Sequence, residues 1–343
     1  MDFTLSAEQQ MFAHTATTLF GNTCTPAHWR TMMQHDRAFD PDRWAQIAAT
    51  GFTAMLVPES AGGLGLGEVD FALIAQAAGY VALPEPLVES AGIAAPMLAE
   101  LAPDHALLRD PAAIIAIAPA ANPVVASADV AGAFLLEKDG HAFLATPDTI
   151  ALTPAQSIDP LRRVFRIGWD PAAAQDLGPA DWTRATDRAA VFAAAQGMGL
   201  AQRAVDLAVA YAKDRQQFGK PIGSYQAVKH HLASAQTAIE FARPVMLAAA
   251  ATVAQGDIYA RARASHARIV ALEAADQAAR AAIQVHGAMG YSWEVDVHLL
   301  LKRALALTGC WGTPAFHRAR IAARLFTRPA GPDQTFAKEQ SVA

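Results

Sequence analysis

An apolar stripe with the repeat of an α-helix constrains this chain more than any other feature. Val191, Ala195, Met198, Ala201, Val205 and Ala208 recur at i, i+3 and i+4, and the run stops at Gly219 and Pro221, residue types that end helices. A second helix is expected to begin at Ser224 as its cap and to be kinked or broken by Pro244. A third, rich in alanine, runs from about Ala260 to Val285 and stops at Gly287, with shorter helices before and after Gly312-Thr313-Pro314. Long helices with short connections pack as an antiparallel bundle, and small alanines let their axes approach closely.

Upstream the texture differs. From Ser6 to about Pro103 helical spacing returns, as in Trp44, Ile47 and Ala48 and again in Phe71, Ile74 and Ala75, interrupted by the loop from Val57 to Gly65. From Leu107 to Asp181 the pattern is of short β-like runs, 114–117, 133–136, 142–145 and 164–167, with Asp139-Gly140 as a hairpin signal between two of them. A chain of 343 residues has room for about two domains on length alone. The texture refines this to an α+β architecture. It has an N-terminal helical domain over 1–105, a small middle β domain over 106–183, a C-terminal helix bundle over 184–327 and a polar tail over 328–343.

Several function classes can be set aside. With 27 basic against 32 acidic residues and a net charge of −5, nothing draws the chain to nucleic acid. Hydrophobic residues reach 53%, yet no unbroken apolar run attains the ~18 residues of a membrane span. Met1-Asp2-Phe3-Thr4 leads into polar Glu8-Gln9-Gln10 rather than a signal peptide, so a cytoplasmic protein is expected. Cys24 and Cys310 stand far apart, as free thiols do in a reducing compartment. The glycines at 62, 63, 65 and 67 match neither G-x-G-x-x-G nor a P-loop and read as a tight surface loop. No H-E-x-x-H or G-x-S-x-G occurs, and adjacent His230 and His231 point to different sides of a helix, so no metal site is expected.

The stretch Tyr211 to Gln226, Y-A-K-D-R-Q-Q-F-G-K-P-I-G-S-Y-Q, joins two of the expected helices. Its Arg215, Phe218, Gly219 and Gln226 suit a nucleotide pyrophosphate, since a guanidinium fork matches phosphate oxygens and a helix start adds positive dipole. Alone, it reads more simply as a solvated Arg215 and a surface Gln226. A second stretch, Gln284-Val285-His286-Gly287-Ala288-Met289-Gly290-Tyr291, changes that balance, with Lys302 and Arg303 beyond it. The pair, in this order and spacing, resembles the R-x-x-F-G-x-x-x-x-x-x-Q and Q-x-x-G-G-x-G-[YF] motifs of acyl-CoA dehydrogenases. Trp44 to Gly65 resembles that family's V-P-E-x-x-G-G-x-G region, so the likeness spans about residues 3 to 325. Ala288 replaces the family's second glycine, adding one methyl that is expected to be tolerated.

The resemblance implies that Arg215, Phe218, Gln226, Gln284, Gly287 and Ala288 hold the ADP half of FAD, reaching across a dimer interface to a flavin seated in the neighbouring subunit. It also exposes what is missing. The family removes a proton beside a CoA thioester and passes a hydride to flavin, which needs a positioned carboxylate. Its two base positions correspond here to Trp311, in W-G-T where the family has E-G-T, and to Ala189, ten residues before Gly199. Asp187 and Glu294 are the nearest acidic alternatives. The flavin-covering T-E-P-x-x-G-S-D and W-I-T segments have no counterpart between Leu107 and Asp181, where Ala116-Ile117-Ala118-Pro119 stands instead. The chain therefore resembles the shorter, non-catalytic subunit of α2β2 acyl-CoA dehydrogenases of steroid side-chain degradation. Such a subunit implies a longer catalytic partner, an acyl-CoA or steroid-CoA substrate and an electron-transfer flavoprotein as acceptor. A homomeric dehydrogenase with an unrecognised base, and a flavin-free structural or regulatory relative, remain open at this point.

Overall fold

The computed structural model describes residues 3–34, 38–120, 122 and 124–327, which leaves the expected tail over 328–343 outside the described residues. The chain begins with helices α1 (Ala7–Thr23), α2 (Pro26–Gln34), α3 (Pro41–Ala49) and α4 (Glu68–Tyr80). A π-helical run, Val88–Ala94, then continues directly into α5 (Ala95–Leu101). Ser6 starts α1 through a reciprocal cap with Gln9, each side chain bonding the other's backbone N–H at 3.1 Å. The Val57–Gly65 loop is a turn device: Gly62 and Gly65 have φ of 94° and 61°, and a Cβ on Gly63 would lie 2.1 Å from the carbonyl oxygen of Val57.

Seven strands follow: β1 (Ile115–Ala118), β2 (Val125–Ala126), β3 (Ala133–Lys138), β4 (His141–Ala145), β5 (Ile150–Ala155), β6 (Val164–Trp169) and β7 (Gln175–Pro179). They form two sheets, ordered β1-β3-β4-β7 and β2-β6-β5, antiparallel except for the parallel β1–β3 pair. Asp139 and Gly140 make the β3–β4 turn with φ of 52° and 80°, the left-handed pair that a two-residue hairpin requires. The strands that alternation does not flag have physical excuses. β2 is two residues long, while β5 and β7 are sheet edges that carry Pro154 and Gly178-Pro179.

The C-terminal part is α6 (Trp182–Asp214), α7 (Gln226–Thr252), α8 (Ile258–His286), α9 (Val297–Thr308) and α10 (Pro314–Thr327). Two boundaries differ from expectation. The long helix ends at Asp214, because residues up to Pro221 pair as a small hairpin of β8 (Gln216–Gln217) and β9 (Lys220–Pro221) with Phe218 and Gly219 at positive φ. Ser224 is not the cap of α7; its hydroxyl donates to the carbonyl of Pro221 at 2.7 Å, and Tyr225 precedes the helix without a side-chain cap. Pro244 lies inside α7, which continues through it without a break. One helix, Gln226–Gln255, is long and apolar enough to cross a membrane by length and composition, which the search for unbroken apolar runs does not register; 44% of its apolar window is buried inside the protein.

The N-terminal helices meet the bundle where α4 crosses α6. A Cβ on Gly199 would lie 2.0 Å from the carbonyl oxygen of Gln76, and one on Gly79 would lie 2.1 Å from that of Gln196. The two helices touch backbone to backbone, with no side chain able to yield. Gly199→Ala is therefore expected to lower stability by about 2 kcal/mol or more, read as a lower urea midpoint at unchanged slope. Gly132→Ala, where the nearest atom would be 3.9 Å away, should stay within about 0.5 kcal/mol of the parent.

Candidate functional site

Tyr211, in the last turn of α6, and His286, the last residue of α8, stack with ring centroids 4.1 Å apart and planes 21° from parallel. The stack brings both sequence motifs to one end of the bundle, since one leaves Tyr211 toward the β8–β9 hairpin and the other leaves His286 toward Gly287. His286 donates from Nδ1 to the carbonyl of Ala282 at 2.7 Å; burial pushes its pKa down, and that hydrogen bond opposes the fall.

At this end Arg215 follows α6 with extended backbone, its N–H held by Tyr211 and its carbonyl by the N–H of Ile222. Phe218 stands at the hairpin tip with φ of 52° and is 92% exposed. Gln226 opens α7, Gln284 lies in the last turn of α8, and Gly287 ends α8 with φ of 62° and open space where a Cβ would be. Ala288 is exposed beside it. Among the described residues, no hydrogen-bonding side-chain partner is found for Arg215, Gln226 or Gln284. Their unspent donors, one cationic and two amide, face solvent next to the start of α7, a donor set that suits a phosphate-bearing ligand. The arm keeps its shape by itself. Tyr225 donates to the carbonyl of Gln217 at 3.2 Å, and the Lys220 ammonium lies 4.3 Å from the Tyr225 ring centroid. Arg30 of α2 ties down the segment after Gly287 by donating to the carbonyls of Trp293 and Glu294 at 3.0 Å and to Asp296 at 2.8 Å.

The second candidate region lies inside. Ala189 of α6 and Trp311, in the loop after α9, line a single cavity of about 10 Å³ together with Val88, Glu89, Arg162 and Cys310. Neither Ala189 nor Trp311 can accept a proton. Trp311 is buried with φ of 54°; its N–H donates to Asn122 Oδ1 at 2.8 Å, and its carbonyl accepts from His317 Nε2 at 3.0 Å. Nη2 of Arg268 gathers the carbonyls of Leu307, Thr308 and Gly312 at 3.0 to 3.2 Å, and that of Cys310 as well, so the loop is pinned from below.

Of the acidic alternatives, neither Asp187 nor Glu294 lines this cavity. Asp187 is buried against Arg320 of α10, and burial pushes its pKa up while Arg320 opposes the rise. Glu294 is exposed, near Arg30. Spacing alone does not reveal the carboxylate that does line the cavity, Glu89, which the π-helical run Val88–Ala94 carries. Glu89 is ion-paired with Arg162 at 2.8 Å, and Arg162 also lies 2.7 Å from Cys310 Sγ. Glu89 is thus engaged as the counter-charge of the partly buried Arg162. No group of metal-ligating residues occurs among the described residues.

Residues 181–326 match the model of the acyl-CoA dehydrogenase C-terminal domain, and residues 6–105 match that of the N-terminal domain. The chain is 33% identical to the acyl-CoA dehydrogenase IpdE2 of Mycobacterium tuberculosis over 300 residues, covering 87% of this chain and 91% of that protein. The chain belongs to the acyl-CoA dehydrogenase family. A further relative, acyl-CoA dehydrogenase FadE34 of the same organism, is 30% identical over 342 residues, which is 93% of this chain but only 47% of FadE34. Among solved structures, the ChsE4-ChsE5 complex of Mycobacterium tuberculosis superposes with a TM-score of 0.86 at 25% identity, over 96% of this chain and 100% of that one.

FAD is the cofactor of acyl-CoA dehydrogenases, and the two regions fit it unequally. The exposed arm, with unspent donors and an open left-handed glycine, fits the pyrophosphate end. The inner cavity, at about 10 Å³ and stoppered by Trp311, has no space for a tricyclic ring.

His317 offers a pH test of the loop that closes this cavity. Burial first, and then the neighbouring Arg268, push its pKa from 6.5 down to about 3. The folded ring stays neutral where the unfolded one takes a proton, so His317 favours folding above pH 6.5, and that contribution is lost as pH falls toward 3. Acid titration of stability should accordingly be flatter in His317→Gln than in the parent, by up to about 1.4 kcal/mol per pH unit across that window.

Proposed function

We propose that this chain is the non-catalytic subunit of a heteromeric acyl-CoA dehydrogenase, lending the ADP-binding arm to a flavin seated in a longer catalytic partner. The observation that carries the reading is the contrast between its two regions. Both base positions hold side chains without a proton-accepting group and face a closed cavity, whereas the arm is exposed with its donors unspent. When bound, FAD accepts the hydride in the α,β-desaturation of a CoA thioester. This chain's own part is to bind: Arg215, Gln226 and Gln284 hold the pyrophosphate end through charge-assisted and amide hydrogen bonds, Phe218 covers it, and the Gly287-Ala288 backbone lies against it. The base is supplied by the partner. FadE34, about twice the length of this chain and similar to it over 47% of its own, supports the idea that this unit works alongside a second one. The substrate class carried over from the resemblance is an acyl-CoA with a steroid or lipid side chain, the acceptor an electron-transfer flavoprotein, and the setting the cytoplasm.

Co-expression with the longer partner is expected to yield a complex with roughly one FAD per pair of unlike chains, while this chain purified alone is colourless. A yellow homo-oligomer with one FAD per chain would overturn the assignment. In the assembled complex Arg215→Ala should weaken FAD retention roughly ten- to a hundredfold, measured by flavin release on dilution. Stopped-flow flavin reduction at matched FAD content provides the complementary test. Glu294→Gln should change the rate by no more than a few-fold, against the roughly 10² to 10⁴ that loss of a true base costs.

A further inference from the structure

Helix α10 commits its charges to its own chain and shows solvent an apolar face. Arg318 pairs with Glu273 of α8 at 2.9 Å, Arg320 pairs with Asp187 of α6, and the Arg324 guanidinium lies 4.9 Å from the ring centroid of Tyr259 in α8. His317 is buried and lies 3.1 Å from the hydroxyl of Ser265 in α8, so the helix packs through this side. The other side carries Ala315, Phe316, Ala319, Ala323 and Phe326, all exposed, with Phe326 at 89% and Phe316 at 44%. A surface helix ordinarily has this pattern reversed, with its polar residues toward water. None of these five is charged, and a contiguous apolar face of this kind marks a contact surface.

The order of residues along this face points to what covers it. Phe316-x-x-Ala319-x-x-x-Ala323-x-x-Phe326 reads the same from either end. At 3.6 residues per turn the four fall within about 80° of arc, so they form one ridge. Association about a two-fold axis needs a self-complementary surface, in which residue i of one copy meets j of the other and j meets i. We propose that this face binds a second copy of the same chain, through an antiparallel contact of two α10 helices that cross near Ile321. Phe316 then lies beside Phe326 of the second copy, and Ala319 beside its Ala323. The alanines let the axes approach to roughly 8 Å at the crossing, and the phenyl rings close its two ends. The flanking arginines do not oppose the contact, because Arg318 and Arg320 already have counter-charges in Glu273 and Asp187. With 14 residues the helix is about 21 Å long, and its ridge alone falls short of the ~800 Å² per partner of a standard interface. It therefore joins chains that a larger contact already holds, here two pairs of unlike chains; for that setting alone the pairing rests on the heteromer proposed above.

Native mass spectrometry of the full chain, in the form in which it purifies with any partner, counts the copies in each particle across a dilution series. Two copies of this chain per particle are expected. Ala319→Lys places an ammonium between the two helices with only arginines nearby, and should raise the concentration at which the copies separate at least roughly tenfold. Residue 319 is exposed, so the same variant should melt within about 2 °C of the parent. Disulfide trapping identifies the occupant. Ala319→Cys chains and Ala323→Cys chains, carrying different tags and purified in one complex, should link to each other under mild oxidation at least roughly tenfold more than either variant links to itself, because the antiparallel register brings those two positions to disulfide distance. Cys24 is buried and Cys310 partly buried, and the parent oxidised in parallel gives their background. One copy per particle, an unchanged separation midpoint in Ala319→Lys, or links to an unlike chain in place of a second copy would each overturn the pairing. So would the absence of any link, as when residues 328–343 of the same chain cover the face. A particle of one kind of chain that still gives the 319–323 link would uphold the pairing while removing the heteromer.

Discussion

The backbone contact between α4 and α6 is the constraint on which the rest of the molecule depends. At Gly79 and Gly199 the helices approach so closely that a single methyl on either would overlap a carbonyl oxygen. Contact of this kind fixes both the separation of the helices and their register, because Gly79 is the one glycine of α4 and, of the two in α6, Gly199 is the one that faces it. α6 then carries the fixed frame in both directions. Ten residues before Gly199, Ala189 faces the inner cavity; sixteen after it, Arg215 begins the arm. The small buried residues of α6 on either side, Ala190, Ala194, Ala195, Ala201, Ala204 and Ala208, keep the helix slim where its neighbours pack, and at its end Tyr211 stacks on His286 of α8.

Buried ion pairs then fasten the parts that helix packing does not reach. Arg303 of α9 pairs with Asp159, before β6, and donates to the carbonyl of Leu83 after α4 at 2.8 Å, so one guanidinium joins all three zones of the chain. Arg43 forks onto Glu85 at 2.8 and 2.9 Å, with both side chains at 1% exposure or less, and also bonds the carbonyl of Thr23. Desolvation cancels much of the attraction in such pairs, and their value lies more in geometry: each is satisfied in one arrangement and leaves a naked charge in others. The partly buried Arg162–Glu89 pair acts in the same way at the wall of the inner cavity, as part of the scaffold.

The sequence carried the architecture legibly where a regular period met a clear stop. The stripe from Val191 to Ala208, the Gly287 terminus and the Asp139-Gly140 turn each express a local rule, and each is present in the fold. The arm motif was legible for the same reason, because its residues are close in sequence and their shared end of the bundle follows from two parallel helices. The expected Ser224 cap is absent because the helix begins later, at Gln226, and the Ser224 hydroxyl lies in the preceding turn, donating to the carbonyl of Pro221. Glu89, Arg162, Asn122 and Arg268 lie up to 179 residues apart, and nothing in their spacing announces that they surround Trp311. Their relation is purely tertiary.

The two halves of the site answer to different physical demands, which allows one to be kept while the other closes. An exposed arm held by its own hairpin, Tyr225 and Lys220 draws little on the core, so its Arg and Gln side chains can serve a ligand outside the chain at almost no cost to folding. A catalytic cavity is the reverse case. It needs empty, partly polar space in the interior, and such space forfeits packing. Here Ala189 and Trp311 line a cavity of only about 10 Å³, and the buried indole belongs to the core. The loop carrying it is secured by Asn122, His317 and Arg268, which engage backbone groups of Trp311 and Cys310. Restoring a carboxylate at residue 311 would therefore not restore a cavity around it. Closure is held by several side chains from three separate regions of the chain, and a site closed in that way is committed to the fold rather than waiting on a single missing residue.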